Sequence, residues 1–346
     1  MENPLVTVFI PVYNSEVYIK ESLDSILNQT YTNIEILIVD DGSTDKSIDI
    51  IKSFNDSRIR IISNKENRGI PFSRNVGLTN SNGKYMAIMD ADDIAVLNRI
   101  EIQVDFMEKN QDIDAIGTYY EMFGGRLKRT FETKYTSSEE VKAKLLFSSP
   151  IGNPTSFVRL EKIKEYNLSY NLNYFVAQDY DFWVQLSKVG KLEILPKVLL
   201  KYRTGHLNIT QNTKGNKAIQ RKKIIDSIHS DIINYYNFKL SEKELESYNE
   251  FFNDNPQSRL SNDTQGSIPS IVEKLLLENQ KSENFVESIL VNIIEDSVVF
   301  SLSKHDLSVI SKLNLYKKVC KVLKVKPKSS HINYLFIKHL YKKVFA

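Results

Sequence analysis

The residues with the clearest capacity for chemistry are three carboxylates that follow one short apolar run. Asp90, Asp92 and Asp93 come directly after Tyr85–Met89 in KYMAIMDADD, residues 84–93. Hard divalent cations take carboxylate and phosphate oxygens together, so acids at the end of a strand can hold a cation beside a phosphorylated ligand. Aspartates also favour turns and helix caps, and this stretch alone leaves a purely structural turn open.

Strands and helices that alternate along the chain are expected to bring these acids together with other polar residues. Continuous apolar runs indicate buried strands at 5–12, 34–39, 59–62 and 85–89, with helical patterns between them. Such strands, without alternation of apolar and polar residues, indicate a parallel sheet covered on both faces. Right-handed crossovers then place the strand ends at one edge, where open α/β sheets bind their ligands. We therefore expect Pro11–Tyr13, Asp40–Asp41 and Asp90–Asp93 to share one crevice.

Length and composition predict a globular protein of about two domains. The 346 residues are 41% hydrophobic and 26% charged, and the single Cys320 excludes a disulfide framework and a cysteine-based zinc site. No apolar stretch approaches the roughly 20 residues of a spanning helix, and the N-terminus lacks the basic region of a signal peptide. We therefore expect a cytoplasmic protein, or one attached peripherally to the inner face of the cytoplasmic membrane.

Charge is unevenly distributed along the chain. Residues 312–346 carry ten lysines and no acid, whereas the first 311 residues have 36 basic and 43 acidic residues, a net charge of −7. Basic tails indicate nucleic acid or an anionic membrane as partner. Because the rest of the sequence has no nucleic-acid-binding pattern, we expect no nucleic acid and favour an anionic membrane surface. The last two amphipathic helices are an interfacial anchor or ordinary packing helices.

Several motifs resemble those of the inverting family 2 glycosyltransferases of GT-A fold. They are FIPVYN at 9–14, VDDGSTD at 39–45, NRG at 67–69, SRNVG at 73–77, MDADD at 89–93, QDYDFWVQL at 178–186 and KYR at 201–203. The resemblance implies an α/β fold, with a GT-A nucleotide-sugar-binding domain and a mostly parallel sheet at 1–213. Lysine-rich helical patterns then predict a C-terminal helical domain at 214–346, with loops near Pro256 and Pro269. DADDIA, GNPTSF and the DYDFW block further resemble bacterial lipooligosaccharide β-1,3-N-acetylglucosaminyltransferases.

The resemblance implies a nucleotide-binding set at the strand ends. Tyr13 is similar to the residue that lies against the uracil ring, and Asp41 to the acid that binds the uracil. Arg74 matches a residue that positions the nucleotide, and Asp90 matches the ribose-binding acid. The set also includes Pro11, Val12, Asn67 and Ala91. Without the resemblance, a strand-end aromatic, turn residues and a surface arginine remain open as explanations.

The resemblance also implies a cation, Mn²⁺ or Mg²⁺, and a catalytic base. Asp92 would hold the cation at the donor diphosphate with His206 as a second ligand, although Gly205 is inserted before this histidine and a loop histidine without a ligand role stays open. Asp179 would be the general base that takes the proton of the acceptor hydroxyl. The alternative for Asp179 is a plain acid that the helix dipole favours at a helix start. Gln178 stands where many relatives have glutamate.

A further motif, GNPTSF at 152–157, resembles the family's entry to a strand beneath the donor sugar. Asn153 and Thr155 could contact the sugar or the acceptor. A turn made by Gly152–Asn153–Pro154 explains the same residues equally well.

These features together predict a metal-dependent inverting glycosyltransferase. It would move N-acetylglucosamine or a related hexose from a UDP-sugar donor to a saccharide or lipid-linked saccharide acceptor, in the synthesis of a bacterial surface glycan. Two other classes stay open. A sugar-nucleotide nucleotidyltransferase would need a glycine-rich basic loop after the first strand, which PVYNSE at 11–16 does not supply. In a non-catalytic nucleotide-sugar binding module, Asp179 would be dispensable.

Overall fold

The chain divides into two compact units, each described here by itself. The computed structural model describes residues 3–125, 128–205, 216–253 and 260–345. The first unit comprises Met1–Lys142 and Ser149–Asn212, and the second comprises Ala143–Ser148 and Thr213–Ala346. Six residues from the middle of the chain thus belong to the second unit. Domain limits at 1–213 and 214–346 stay a prediction of the sequence.

The described part of the first unit is built on one nine-stranded sheet. Its strands are β1 (Val6–Val12), β2 (Ile34–Asp40), β3 (Ile59–Ser63), β4 (Tyr85–Ile88), β5 (Ile94–Ala95), β6 (Ala115–Phe123), β7 (Arg129–Phe131), β8 (Phe157–Arg159) and β9 (Leu192–Arg203). They lie in the order β3-β2-β1-β4-β8-β6-β9-β5, with β7 paired to β6. The longer pairings, among β1–β4 and between β6 and β9, are parallel, whereas β8 is antiparallel to β4 and β6. The predicted α/β class with a mostly parallel sheet is confirmed.

Helices cover this sheet and deliver residues to the strand ends. They are α1 (Ile19–Leu27), α2 (Ser47–Ser53), α3 (Ile70–Asn80), α4 (Arg99–Lys109), α5 (Ser138–Lys144), α6 (Leu160–Glu165) and α7 (Gln178–Ser187), with a 3₁₀ turn at Asn153–Thr155. In α1, Ile19, Leu23 and Ile26 recur at three- and four-residue spacing and are fully buried. That spacing puts them on one face of the helix, which packs into the apolar core around β1 and β2.

The second unit is helical over its described residues after 216, as predicted. Its helices are α8 (Asn216–Tyr235), α9 (Glu242–Phe252), α10 (Asn262–Ser282), α11 (Glu287–Lys304), α12 (Val309–Val322) and α13 (Ser329–Phe345). The predicted loop near Pro269 is wrong, because Pro269 lies inside α10. The fully buried Ile268, Ile271 and Val272 surround it, so packing outweighs the one hydrogen bond that a proline removes. Pro256 lies outside the described residues.

The segment Ala143–Ser148 is held inside the second unit by polar and ring contacts. The Tyr248 hydroxyl donates to the carbonyl of Leu146 at 2.5 Å, and Nε2 of His229 hydrogen-bonds the carbonyl of Phe147 at 3.2 Å. The Phe147 ring also packs against Phe252, with centroids 4.7 Å apart. In the parts of the chain that the structure describes, no helix is both long enough and apolar enough to cross a membrane.

Candidate active site

The ends of β1 and β2 are joined in register at the edge of the sheet. The Cα atoms of Val12 and Asp40 are partners in the parallel ladder, and the backbone N–H of Asp41 donates to the carbonyl of Val12 at 2.8 Å. Pro11 and Val12 are buried within β1, whereas Tyr13, the next residue, is 48% exposed. The first two residues therefore offer chiefly main chain to a ligand, and Tyr13 offers its ring.

The carboxylate of Asp41 organises the loop that follows β3. Its Oδ1 accepts from Nδ2 of Asn64 at 2.8 Å and from the backbone N–H of Arg68 at 3.0 Å, and its Oδ2 accepts from the N–H of Gly69 at 2.8 Å. The exposed Asn67 also accepts from Gly69, at 3.1 Å. Asp41 is itself buried. It therefore fixes the course of residues 64–69, a structural role that the sequence did not predict.

The neighbouring turn requires a glycine. Asp40 accepts from the N–H of Ser43 at 3.0 Å, which closes the turn. Gly42 within it has φ of +76°, and a Cβ there would lie 2.8 Å from the carbonyl carbon of Glu66. Left-handed backbone together with this close approach excludes a side chain. The DDG sequence thus brings the loops after β2 and β3 together.

Asp90, at the end of β4, lies near the buried Arg74 of α3. A guanidinium nitrogen of Arg74 is 3.8 Å from Oδ1 of Asp90, whose side chain is 30% exposed. Within the described residues, Nε and Nη1 of Arg74 have no hydrogen-bond partner, and its guanidinium lies 5.4 Å from the Tyr170 ring centroid. Burial raises the pKa of Asp90 to about 6, the Arg74 charge opposes this rise, and the charges of Asp92 and Asp179 add to it.

The rest of the acidic loop is anchored by the end of β9. Asp93 is fully buried and its Oδ1 accepts from the backbone N–H of Arg203 at 2.8 Å. The Arg203 side chain donates from Nε to the carbonyl of Asp92 at 2.7 Å and from Nη2 to Glu21 at 2.5 Å. Burial raises the pKa of Asp93 to about 9, helped by the charges of Asp90 and Asp92. The buried Ala91 completes this short, fixed loop.

A second arginine supports the main chain just before the acids. Arg99, at the start of α4, is fully buried and donates from Nη2 to the carbonyl of Ile88 at 2.8 Å and from Nε to Gln103 at 3.1 Å. Burial lowers the pKa of Arg99 to about 10, although Asp93 and Asp90 oppose that change. Its guanidinium therefore stays charged at neutral pH beneath a cluster of acids.

Asp179 lies in the first turn of α7 and interacts electrostatically with this cluster. Its charge raises the pKa values of Asp90 and Tyr170, secondary in each case to burial. The helix begins after Ala177, whose φ of +53° is left-handed. Such backbone is unfavourable for a residue with a side chain and is frequent at functional sites. The Phe182 ring of α7 stacks on Tyr170 at 4.4 Å. The Asn75 side chain of α3 donates to the carbonyl of Tyr170 at 2.8 Å and accepts from its N–H at 2.7 Å, so Tyr170 links the two helices.

Two buried amides nearby have unused hydrogen-bonding atoms. Oε1 of Gln178 and both amide atoms of Asn153 lack partners within the described ranges, although these residues are only 7% and 4% exposed. Buried polar atoms normally find partners. Thr155, by contrast, has its hydroxyl engaged, because it donates to Gly152 at 2.7 Å and accepts from the N–H of Thr118 at 3.0 Å. Thr155 therefore stabilises the turn.

The predicted metal ligands are only partly described. His206 lies outside the described residues. Among the residues that the structure does describe, no group of three histidine, cysteine or acidic side chains could hold a metal ion by itself. Hard cations at phosphate sites use one or two carboxylates and take further oxygens from the phosphates. The acidic loop agrees with that pattern, since it offers two carboxylates, Asp90 and Asp92, whose charges interact at the end of β4.

Comparison with known proteins agrees with this geometry. The sequence profile "Glycosyl transferase family 2" matches residues 7–175. Over 248 residues the chain is 39% identical to an uncharacterized glycosyltransferase of Haemophilus influenzae, spanning 68% of this chain and 76% of that protein. The chain belongs to glycosyl transferase family 2. This membership sets aside the nucleotidyltransferase and the non-catalytic binding module that the sequence had left open.

Other relatives of this family 2 glycosyltransferase are similar in sequence or in fold. It is 29% identical over 215 residues to the Escherichia coli UDP-Glc:alpha-D-GlcNAc-diphosphoundecaprenol beta-1,3-glucosyltransferase WfgD, spanning 61% of this chain and 82% of that protein. S. aureus TarS 1–349 in complex with UDP-GlcNAc has a TM-score of 0.59 at 18% identity, covering 92% of this chain and 90% of TarS 1–349. The predicted GT-A fold with a C-terminal helical region is therefore confirmed.

The glycosyltransferase brings several of the predicted site residues together. Arg74 lies 3.8 Å from Asp90, and charge interactions link Asp90 to Asp92 and Asp179. Tyr13 and Asp41 lie where β1 and β2 end. The sequence did not predict the roles of Arg203 and Arg99. KYR at 201–203 is one of the family motifs, but its residue types do not indicate that the arginine binds the main chain of the acidic loop.

Proposed function

We propose that this glycosyltransferase is metal-dependent and inverting, and that residues 1–213 form its catalytic domain. It would transfer N-acetylglucosamine or a related hexose from UDP to a saccharide hydroxyl in the synthesis of a bacterial surface glycan. The main support is the interaction between Asp179 and Asp90, which brings an acid at a helix start within electrostatic range of the acid at a strand end. An inverting transfer needs a carboxylate base apart from the groups that hold the leaving diphosphate.

The donor nucleotide would bind along the ends of β1, β2 and β4. The exposed Tyr13 ring would lie against the uracil, with the main chain of Pro11 and Val12 beside it. Asp41 and Asn67 would contact the base, since both sit at the junction of the two loops. The E. coli relative WfgD supports a uridine nucleotide, because its name gives UDP-Glc as the donor.

The ribose and phosphates would lie at the end of β4. Asp90 and the main chain of Ala91 would bind the ribose, and the Arg74 guanidinium, 3.8 Å from Asp90, would orient Asp90 and through it the nucleotide. Asp92 would hold Mn²⁺ or Mg²⁺, with His206 as the second protein ligand. When bound, such an ion stabilises the negative charge that develops on a diphosphate leaving group.

Asp179 would act as the general base. As the acceptor hydroxyl attacks the anomeric carbon and the bond to UDP breaks, the Asp179 carboxylate would take the hydroxyl proton. The attack comes from the face opposite the leaving group, so the configuration inverts. A well-placed base of this kind contributes about 10²- to 10⁴-fold to turnover.

The acceptor we propose is a lipid-linked saccharide, of the kind that lipooligosaccharide synthesis uses. Two observations support it: the GNPTSF and DADDIA motifs, and a relative named for a GlcNAc-diphosphoundecaprenol acceptor. An acceptor with a lipid carrier is presented at a bilayer. The protein would then work at the inner face of the cytoplasmic membrane.

A donor panel with an Asp179 variant tests these assignments. The protein would be incubated with Mn²⁺, a lipid-linked saccharide and UDP-Glc, UDP-GlcNAc, UDP-Gal or GDP-Man, and UDP or GDP release measured. Asp179→Asn should retain affinity for the donor but lose about 10²- to 10⁴-fold in turnover.

The matched control is Asp49→Asn, since Asp49 is also an acid in the first turn of a helix, α2. If Asp179→Asn keeps near-parental turnover, or if the control loses as much turnover, Asp179 is only an acid that the helix dipole favours and not the base. Preference for GDP-Man over every UDP-sugar would overturn the donor assignment.

A further inference from the structure

The last helix of the second unit presents an exposed apolar surface. Phe336, Ile337, Leu340 and Tyr341 of α13 are 44%, 58%, 60% and 64% exposed. Scattered apolar residues on a surface are ordinary, but a contiguous group of large ones indicates an interaction site. We propose that these four side chains, here called the α13 face, dock on an anionic membrane surface.

Helix geometry places the four side chains on one side of α13. With 3.6 residues per turn, positions 336, 337, 340 and 341 fall within an arc of roughly 140°. Leu335 is fully buried on the other side. There, Nδ1 of His331 lies 3.0 Å from the Tyr316 hydroxyl of α12, and its Nε2 lies 3.0 Å from Asp296 of α11. The helix is therefore fixed to its unit by one side, while Phe336, Ile337 and Leu340 are exposed on the other.

Positive charge accompanies this face. Lys338 on α13 is exposed, and so are four lysines on or just after the adjoining α12, namely Lys317, Lys318, Lys321 and Lys324. Residues 312–346 contain no acid to compensate them. An exposed apolar helix face in a lysine-rich segment without acids is the composition of helices that lie in the interface of anionic bilayers. Each lysine near such a leaflet raises affinity by roughly fivefold, and salt weakens the effect.

The same charges argue against a second copy of the chain as the occupant. A twofold interface brings the same patch of both copies together. Dimerisation through the α13 face would therefore bring two groups of lysines close to each other, which opposes association. Lysine is also depleted at the centres of protein interfaces. An anionic leaflet matches both the apolar and the cationic features, so we commit to it.

This inference extends the proposed function, because it names the surface by which the enzyme would reach a lipid-linked acceptor. Its test needs no substrate, so the two can fail separately. Full-length protein would be floated with phosphatidylcholine vesicles, with or without 30% phosphatidylglycerol, at about 50 mM and 500 mM NaCl. We expect binding only to the anionic vesicles and a steep loss at the higher salt.

Variants assign the binding to the α13 face. Ile337→Ser combined with Leu340→Ser should lower the partition coefficient at least about tenfold, since both side chains would lose their burial in the bilayer. Ile219→Ser is the matched control, because Ile219 is 59% exposed on α8 of the same unit. Lys317→Gln with Lys321→Gln should cost roughly 25-fold. Lys243→Gln, whose side chain is 81% exposed on α9, should change nothing.

Several results would overturn the inference. One is that full-length protein ignores anionic vesicles at low salt; another is that the controls lose as much binding as the α13 variants. A third is a dimer in sedimentation that Ile337→Ser with Leu340→Ser dissociates, which would assign the face to a second copy. Asp179→Asn should bind vesicles like the parent, so failure of the transfer assay alone would leave the membrane contact standing.

Discussion

Arg203→Ala removes the side chain that links the acidic loop to α1. In the parent, Nε of Arg203 donates to the carbonyl of Asp92 at 2.7 Å, and Nη2 donates to Glu21 at 2.5 Å. Its guanidinium also lies 4.7 Å and 4.4 Å from the ring centroids of Tyr18 and Phe123. The backbone N–H that binds Asp93 would remain in the variant. The substitution therefore releases one side of the loop and leaves the other attached.

The cost can be worked from these contacts. A hydrogen bond from a charged donor contributes about 1.5–3 kcal/mol to the free energy of unfolding. The Glu21 pair adds about 0–1 kcal/mol, because the Glu21 side chain is 58% exposed. Each ring contact contributes about 0.5–1 kcal/mol. Since such contributions are not additive, we expect a total loss of about 2–4 kcal/mol.

The effect on catalysis should be larger than this stability loss alone suggests. Release of the Asp92 carbonyl lets the loop shift, and a misplacement of about 1 Å costs about 10²-fold in rate. We therefore expect kcat/KM for sugar transfer to fall about 100-fold at a temperature where the variant is still folded. In steady-state kinetics with titrated Mn²⁺, the variant should also need more Mn²⁺ for half-maximal activity, because the Arg203 side chain no longer holds the main chain of Asp92.

Two comparison variants make this test decisive. Glu21→Gln removes only the exposed partner and should change turnover less than about threefold, since an exposed pair is worth little. Arg58→Ala breaks an ion pair with Asp56 of 2.8 Å elsewhere in the unit, and should lower stability without changing the metal dependence. If Arg203→Ala keeps parental kcat/KM and parental Mn²⁺ dependence, the anchoring role is refuted.

Three further predictions address the metal, the second unit and the sheet. Asp92→Ala should abolish the Mn²⁺-dependent part of UDP binding in calorimetry. A variant that still binds UDP more tightly with Mn²⁺ would contradict the assignment, and so would a parent whose UDP affinity is the same with and without Mn²⁺. Burial lowers the pKa of His229 from 6.5 to about 4, so the unfolded chain binds the extra proton first and up to about 3 kcal/mol of stability is lost as pH falls from about 6.5 to about 4. His229→Gln should therefore show a flatter Tm-against-pH curve than the parent, and parallel curves would contradict this. In Gly77→Ala, the new Cβ would lie 2.4 Å from the buried Phe9 ring, so we expect a loss of about 1–3 kcal/mol. Gly266→Ala has nothing within 4 Å in α10 and should instead gain about 0.5–1 kcal/mol; a stabilised Gly77→Ala would show that the ring moves aside.

The elements that the sequence predicted best are those whose signal is local and long. β1 and β2 have seven residues each, mostly apolar and almost wholly buried, so their pattern identified them as buried strands. β5 was not predicted, because Ile94–Ala95 has only two residues and becomes a strand by pairing with Leu200 and Lys201 of β9. Such a strand depends on a partner more than a hundred residues away.

The site divides in the same way. The acids at strand ends were predictable, because topology alone brings the carboxyl ends of parallel strands together. Their supports were not, since Arg203 acts on the carbonyl of Asp92 and Asp41 acts on backbone N–H groups. A side chain that bonds the main chain cannot be predicted from its partner's residue type, because nearly every residue carries the same backbone groups. The carboxylate of Asp41 therefore looked like a ligand contact alone, and Arg99 looked like an ordinary helix residue.

The discontinuous second unit has a consequence for synthesis on the ribosome. Phe147 and Leu146 leave the ribosome well before their partners, being 82 residues from His229 and 102 from Tyr248. At about 5–20 residues per second, that interval lasts roughly 4–20 s. During it, the apolar segment Ala143–Ser148 has no helices to bury it, although the sheet on both sides in the sequence can already form. The nascent chain therefore exposes an apolar internal segment until the helices of the second unit are synthesised, and this segment is where a ribosome-bound chaperone would bind.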